Sequence, residues 1–141
     1  MDDIERKAAA RWQGTLKEGS GVFNMENGLA KDSPYTWGTR FGSDKGTNPE
    51  ELLGAAQAAC YAMNLSGVLT KQGRSIKSLD VQAGVFMSAE APRTITHIKL
   101  RVTGSVEGMT AEEFQAAAEE AKACPISRAL AVPIELEASL E

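Results

Sequence analysis

Residues 47–60 read Thr47-Asn48-Pro49-Glu50-Glu51-Leu52-Leu53-Gly54-Ala55-Ala56-Gln57-Ala58-Ala59-Cys60. Asn48 can cap a helix, Pro49 suits its first position, and Glu51 lies three residues beyond the cap. The spacing predicts a helix to about Gln72 that stops at Gly73. It stays apolar on every side, through Leu53, Ala56, Cys60, Met63, Leu65 and Leu69. A helix apolar all round is enclosed by other structure. At 1.5 Å per residue it spans about 36 Å. A chain of 15.0 kDa has trouble enclosing it alone. A dimer that buries one side is therefore expected.

Upstream, the pattern predicts a β meander. One strand is expected over Arg11 to Lys17, one over Val22 to Met25 and one over Tyr35 to Phe41, with a loop at Lys31 to Pro34. In the third, Tyr35, Trp37, Thr39 and Phe41 alternate with Thr36, Gly38 and Arg40. Downstream, Leu79, Val81, Ala83, Val85 and Met87 form one stripe, and Ile98, Leu100, Val102 and Val106 form another. Thr110-Ala111-Glu112-Glu113 is a capping box that opens an amphipathic helix. Cys124-Pro125 interrupts it, and Pro125 suits a new short helix to about Leu130. A last strand alternates Ile134, Leu136, Ala138 and Leu140 with Glu135, Glu137 and Ser139. Three strands, a long helix, two strands, two helices and a strand make an α+β domain. With 141 residues it is expected to be one domain, 1–141.

Composition excludes several functions. Net charge is −4 and no basic block occurs, so neither a nucleic-acid partner nor an anionic membrane surface is expected. Residues 1–10 are charged and carry no apolar core, so no secretory signal is expected. Leu52 to Leu69 contains Gly54, Gln57, Asn64, Ser66 and Gly67, and reads as too polar to span a membrane. These points predict a cytoplasmic protein, where a permanent disulfide between Cys60 and Cys124 is improbable. A zinc site needs about four Cys or His ligands. Two cysteines and one histidine do not supply them, so no metal is expected. His97 shares the polar face of its strand and reads as solvated.

Two thiols remain. Cys60, on an apolar helix, reads first as a buried and inert thiol. Cys124 sits at the start of a short helix, where free N–H groups and the helix dipole favour a thiolate. A cap or a packing residue is an equally ordinary reading. Arg40 is by default a solvated strand arginine, and Glu50 a carboxylate on the helix dipole. Trp12, Tyr35, Trp37 and Phe41 read as core or dimer contacts rather than a substrate pocket.

Thr39-Arg40-Phe41, Lys45-Gly46-Thr47-Asn48-Pro49-Glu50-Glu51-Leu52, Ala58-Ala59-Cys60 and Ala123-Cys124-Pro125-Ile126-Ser127 together resemble the OsmC/Ohr family, from Trp12 to the last strand. The placing of Arg40 resembles the osmotically inducible OsmC branch; in the organic-hydroperoxide-resistance branch the arginine lies nearer the N-terminus. The resemblance implies an intertwined homodimer with two long central helices enclosed by β-sheets. It implies peroxidase activity against organic hydroperoxides, and more weakly hydrogen peroxide, in oxidative or osmotic stress defence. Cys60 would be the peroxidatic cysteine and Cys124 the resolving one, with Arg40 the catalytic arginine and Glu50 its carboxylate partner. No cofactor would be bound. The reductant would be an external dithiol, lipoyl-type or on a lipoylated protein.

That chemistry is sound. A thiol in an apolar helix has its pKa raised, while attack on a peroxide oxygen needs the thiolate. A guanidinium reverses the shift and can hydrogen-bond the departing alkoxide, without itself titrating. Glu50 and Cys60 lie ten residues apart on one helix. That is about 15 Å along the axis and roughly 80° off a common face. Two helices crossing antiparallel would put Glu50 of each chain near Cys60 of the other. Two other functions fit the same residues: a non-catalytic dimer that binds an apolar ligand or partner, and a thiol enzyme acting on another electrophile such as a thioester.

Overall fold

In the computed structural model, which describes residues 2–141, the long helix begins where the capping pattern places it. The Asn48 side chain accepts a hydrogen bond from Glu51 N–H at 2.8 Å. This helix, α2, is Pro49–Lys71. It ends in a Schellman turn: Gly73 N–H donates to Thr70 C=O and Arg74 N–H to Leu69 C=O, with Gly73 at φ +73°. The left-handed φ is why glycine stops the helix there.

The chain divides into two units, 1–52 and 53–141. In the first, β1 (Ala8–Gln13), β2 (Ser20–Met25) and β3 (Ser33–Tyr35) form an antiparallel sheet in that order. The first strand is earlier than the expected Arg11 to Lys17. Gly14, at φ +92°, ends it, and Leu16, Lys17 and Glu18 form a turn. The expected loop at Lys31 to Pro34 gives up its last two residues to β3, a sheet edge where proline is tolerated.

The expected strand over Tyr35 to Phe41 is overturned. Only Tyr35 is extended in a ladder, and Trp37–Phe41 is a short helix, α1. Thr36 is its cap. Thr36 Oγ1 accepts from Thr39 N–H at 3.2 Å, and Thr39 Oγ1 accepts from Thr36 N–H at 3.0 Å. This reciprocal pair satisfies two otherwise unpaired donors, and outweighs the β propensity of the alternating aromatics. Arg40 therefore stands on a helix, not a strand.

The second unit is built on a sheet ordered β4-β5-β6. Strands β4 (Ile76–Met87) and β5 (Ile95–Val106) are antiparallel; β6 (Ile134–Leu140) is parallel to β5. The parallel pairing requires a crossover. Helix α3 (Ala111–Glu120), a 3₁₀ turn over Ala121–Ala123 and helix α4 (Pro125–Ala129) supply it. The Thr110–Glu113 capping box is present. The apolar stripes line up across the sheet as Val81–Val102–Ala138, Ala83–Leu100–Leu136 and Val85–Ile98–Ile134. On the opposite face Glu137 pairs with Lys99 at 2.7 Å and Arg101 at 3.0 Å. His97 is not freely solvated: its ring is half-buried and stacks on Phe86 at 4.3 Å between centroids.

The core holds Tyr61, Leu65 and Leu69 of α2, Ile98, Leu100 and Val102 of β5, and Phe114, Ala117 and Ala118 of α3. A Cβ at Gly104 would lie 2.5 Å from the Phe114 ring. Gly104→Ala should therefore destabilise the protein by about 1–3 kcal/mol, the range for overpacking a core. The shift of the urea midpoint measures it, and an unshifted midpoint would refute the clash.

Within one chain α2 is covered on one face only. Gly54, Gln57, Tyr61, Leu65 and Leu69 are buried, while Ala55, Ala56, Ala59, Met63 and Gly67 are exposed. The helix is also long and apolar enough, by length and composition, to cross a membrane. Its packing distinguishes it: Tyr61 O–H donates to Ala118 C=O and Asn64 Nδ2 to Ala121 C=O, as in a core helix.

Candidate active site

In the second unit the two thiols meet. Cys60 and Cys124, 64 residues apart in sequence, are close enough for their side chains to hydrogen-bond. Cys60 is carried by the middle of α2, and Cys124 is the extended residue that caps α4. Pro125 forces that extended backbone and presents the first N–H groups of α4 to sulfur. Cys124 is 0% exposed and Cys60 is half-buried, so an incoming molecule reaches Cys60 first.

The surroundings treat the two differently. Burial pushes the Cys60 thiol up; Ile126 N–H pulls it down, and the neighbouring Cys124 pushes it further up. Burial also pushes against the Cys124 thiolate. There the Ser127 hydroxyl and N–H, the Cys60 thiol and Ile126 N–H outweigh it, and the Cys124 pKa is lowered. Inside this unit Cys124 is therefore the more acidic of the two thiols.

Gln57 and Ser127 complete the thiol site and have no role in the sequence reading. Gln57 is 0% exposed. Its Nε2 donates to Ser127 Oγ at 2.5 Å and lies 4.0 Å from Cys124 Sγ; Ser127 Oγ lies 3.3 Å from that sulfur. The signal was available. Gln57 is an amide one turn before Cys60 in an apolar run, and Ser127 is three residues after Cys124. Tyr61 packs nearby, with burial first and the Glu119 and Cys124 charges next pushing its phenol up, so it remains a hydrogen-bond donor.

In the first unit Arg40 and Glu50 pair. Arg40 Nη2 lies 2.8 Å from Glu50 Oε1, and Nε lies 3.1 and 3.3 Å from Oε1 and Oε2. The fork fixes the guanidinium plane. Asn48 holds the two helix ends in register by donating from Nδ2 to Thr39 C=O at 3.3 Å. The Glu50 side chain is 12% exposed and that of Arg40 39%, so the guanidinium keeps an accessible edge. Beside it Trp12, Leu16, Tyr35, Trp37 and Phe41 line a cavity of about 240 Å³. In this chain these aromatics line an apolar cavity walled on one side by Arg40.

Among the described residues no group of three or more His, Cys, Asp or Glu side chains could hold a metal ion.

The chain is similar to known proteins along its whole length. A family model described as OsmC-like protein matches residues 42–139. Over 140 residues, 98% of both chains, the sequence is 41% identical to "Peroxiredoxin OsmC" of Escherichia coli (strain K12), and equally to that of Shigella flexneri. Among solved structures, the organic hydroperoxide resistance protein OhrB of Bacillus subtilis matches with a TM-score of 0.74 at 23% identity, over 98% of each chain. An OsmC-like protein of Vibrio cholerae matches with a TM-score of 0.76 at 15% identity, over 96% of this chain and 99% of that one. These two support the fold, while the family match and the 41% identity carry the assignment: the chain belongs to the OsmC family.

Proposed function

We propose that the protein is a cysteine-based peroxidase that reduces organic hydroperoxides, and hydrogen peroxide more weakly, in stress defence. The observation that carries this reading is the meeting of Cys60 and Cys124 within hydrogen-bond reach. The 41% identity to two proteins named peroxiredoxin supports the reaction class. The aromatic cavity beside Arg40 supports a substrate with an apolar organic group.

In this cycle the Cys60 thiolate attacks one peroxide oxygen. The O–O bond breaks, the alkoxide leaves and takes up a proton, and Cys60 becomes a sulfenic acid. The Cys124 thiolate attacks that sulfur, an S–S bond forms, the S–O bond breaks, and hydroxide leaves as water. An external dithiol, such as a lipoyl group or a lipoylated protein, returns the disulfide to two thiols. No bound cofactor, nucleic acid or membrane takes part, and the cytoplasm suits a cycle that begins from free thiols. The working unit is a homodimer in which 1–141 acts as a single OsmC-like domain. The exposed small-residue face of α2 supports it, because a second copy of that helix can approach closely there. Glu50 and Cys60 lie about 15 Å apart along α2, so they do not share one chain's site unless Arg40 spans that gap, and sharing between subunits is the simpler arrangement. Arg40 and Glu50 of one subunit therefore serve Cys60 of the other.

Turnover of cumene hydroperoxide with dihydrolipoamide tests the activity; absence of turnover with intact, reduced thiols would refute it. Shared sites predict complementation. Mixing a Cys60→Ser chain with a Glu50→Ala chain should yield heterodimers with one intact site and recovered activity. No recovery in verified heterodimers would overturn sharing.

One observation favours a second reading. An apolar cavity of about 450 Å³ in the first unit, lined by Ala8, Ala10, Phe23, Met25 and Leu52 among others, suits a non-catalytic dimer that binds an apolar ligand. A Cys60 that resists alkylation and oxidation would favour it.

A further inference from the structure

A fully buried glutamine in an otherwise apolar helix face needs a reason. Gln57 is 0% exposed, and its Oε1 is buried without a hydrogen-bond partner. An orphaned buried acceptor is costly, and a leucine of similar size would avoid it. The amide's short contact is Nε2 to Ser127 Oγ, while the same nitrogen reaches Cys124 Sγ only at 4.0 Å. A hydroxyl carries one proton and two lone pairs. With one lone pair taken by the amide, the Ser127 hydroxyl has Cys124 Sγ at 3.3 Å as the neighbour for its own proton. A chain running from amide N–H to hydroxyl O–H to sulfur is polarised in one direction, each bond strengthening the next.

We propose that Gln57 and Ser127 are positioning residues for Cys124: the buried amide orients the Ser127 hydroxyl so that its proton points at the Cys124 sulfur and holds that thiol ready as the resolving nucleophile. The proposal rests on the peroxidase cycle above and adds to it a device that acts on the second chemical step. It gives a physical source for the lowered pKa of a sulfur with no exposed surface. Resolution depends on that acidity, because the thiolate is the attacking species. It also bears on over-oxidation: a slow Cys124 leaves the Cys60 sulfenic acid open to a second peroxide.

The first test needs no peroxide. Thiolate absorbance near 240 nm is followed against pH in the reduced Cys60→Ser chain, where only Cys124 titrates as a thiol. The Cys124 midpoint should lie below the free value of about 8.5. Ser127→Ala and Gln57→Leu should each raise it by about one unit, the scale of one lost hydrogen bond to a charged group. Ser127→Thr should restore it. The double variant should shift little further than Ser127→Ala alone, because Gln57 acts mainly through Ser127 and its own contact with the sulfur is long at 4.0 Å. Unchanged midpoints in both single variants would overturn the proposal. If Gln57→Leu does not fold, the Ser127→Ala and Ser127→Thr pair decides it. The second test uses one equivalent of cumene hydroperoxide in the chain with both cysteines. In Gln57→Leu, resolution of the sulfenic acid should slow about threefold at pH 7 relative to the first oxidation, a roughly tenfold loss of thiolate partly offset by the higher nucleophilicity of the more basic thiolate. An unchanged ratio would overturn the resolving role. If peroxide oxidises neither thiol in the unmodified chain, the peroxidase reading fails and the resolving role with it, whereas the titration still reports whether the hydroxyl serves the sulfur.

Discussion

Cys60→Ser should abolish peroxide consumption, and Cys124→Ser should retain one fast turnover and then stall. The difference follows from where the sulfurs lie. Cys60 is half-buried and Cys124 has no exposed surface, so the peroxide oxygen meets Cys60. Serine cannot replace the thiolate as nucleophile, because its hydroxyl does not ionise near neutral pH. In Cys124→Ser the first step survives and the second has no partner. Cys60 then accumulates as a sulfenic acid or is driven on to sulfinic acid. In the unmodified chain, one equivalent of cumene hydroperoxide should give an intrachain Cys60–Cys124 disulfide. Bridging needs Cα atoms within about 7 Å. Side chains already in hydrogen-bond reach require little movement to satisfy that. Peptide mass mapping reads all three chains. First oxidation on Cys124 would invert the roles, an outcome given real weight by the lowered Cys124 pKa. No oxidation of either thiol would return the protein to the ligand-binding reading.

How much of this was legible in the sequence depends on the residue. Helix α2 was legible because Asn48, Pro49 and Gly73 are local signals that act through their own backbone bonds. Strands β4, β5 and β6 were legible because period-two stripes matched across three strands. Residues 35–41 misled because their aromatics alternate as a strand does, while the deciding contact is a side-chain cap between Thr36 and Thr39. The bare face of α2 was not legible. Alanine, glycine and methionine read as apolar on every side, and only packing reveals which side one chain covers. The pairing of Arg40 with Glu50 came from resemblance rather than from the pattern, and the structure shows the fork directly. Gln57 was legible only as a break in hydrophobicity. Its contact with Ser127, 70 residues away, depends on the crossover that returns α4 to α2.

Arg40→Ala should slow peroxide attack by about 100- to 1,000-fold, the scale of removing one preorganised stabiliser of developing charge. It should also move the pH profile. Burial pushes the Cys60 thiol up within its own unit, so Cys60 left to itself is protonated at pH 7. If Arg40 of the partner subunit serves Cys60 as proposed, its midpoint should fall below the free value of about 8.5. The second-order rate constant then rises with pH and levels off at that midpoint. In Arg40→Ala the midpoint moves to higher pH, and the loss is greatest at neutral pH, where little thiolate remains. At alkaline pH both proteins carry the thiolate, and that of higher pKa is intrinsically the better nucleophile. Any deficit that persists on the alkaline plateau therefore measures how far Arg40 stabilises the departing alkoxide. Arg40→Lys separates charge from geometry. A lysine keeps the cation but lacks the fork that grips Glu50 through Nε and Nη2, so it should restore the midpoint better than the plateau. Iodoacetamide alkylation rates across pH read the midpoint, and stopped-flow peroxide reduction reads the plateau. Identical midpoints and plateaus in Arg40→Ala and the unmodified protein would remove Arg40 from the mechanism. The sharing of sites between subunits would fall with it, since Arg40 is the group that sharing is proposed to deliver.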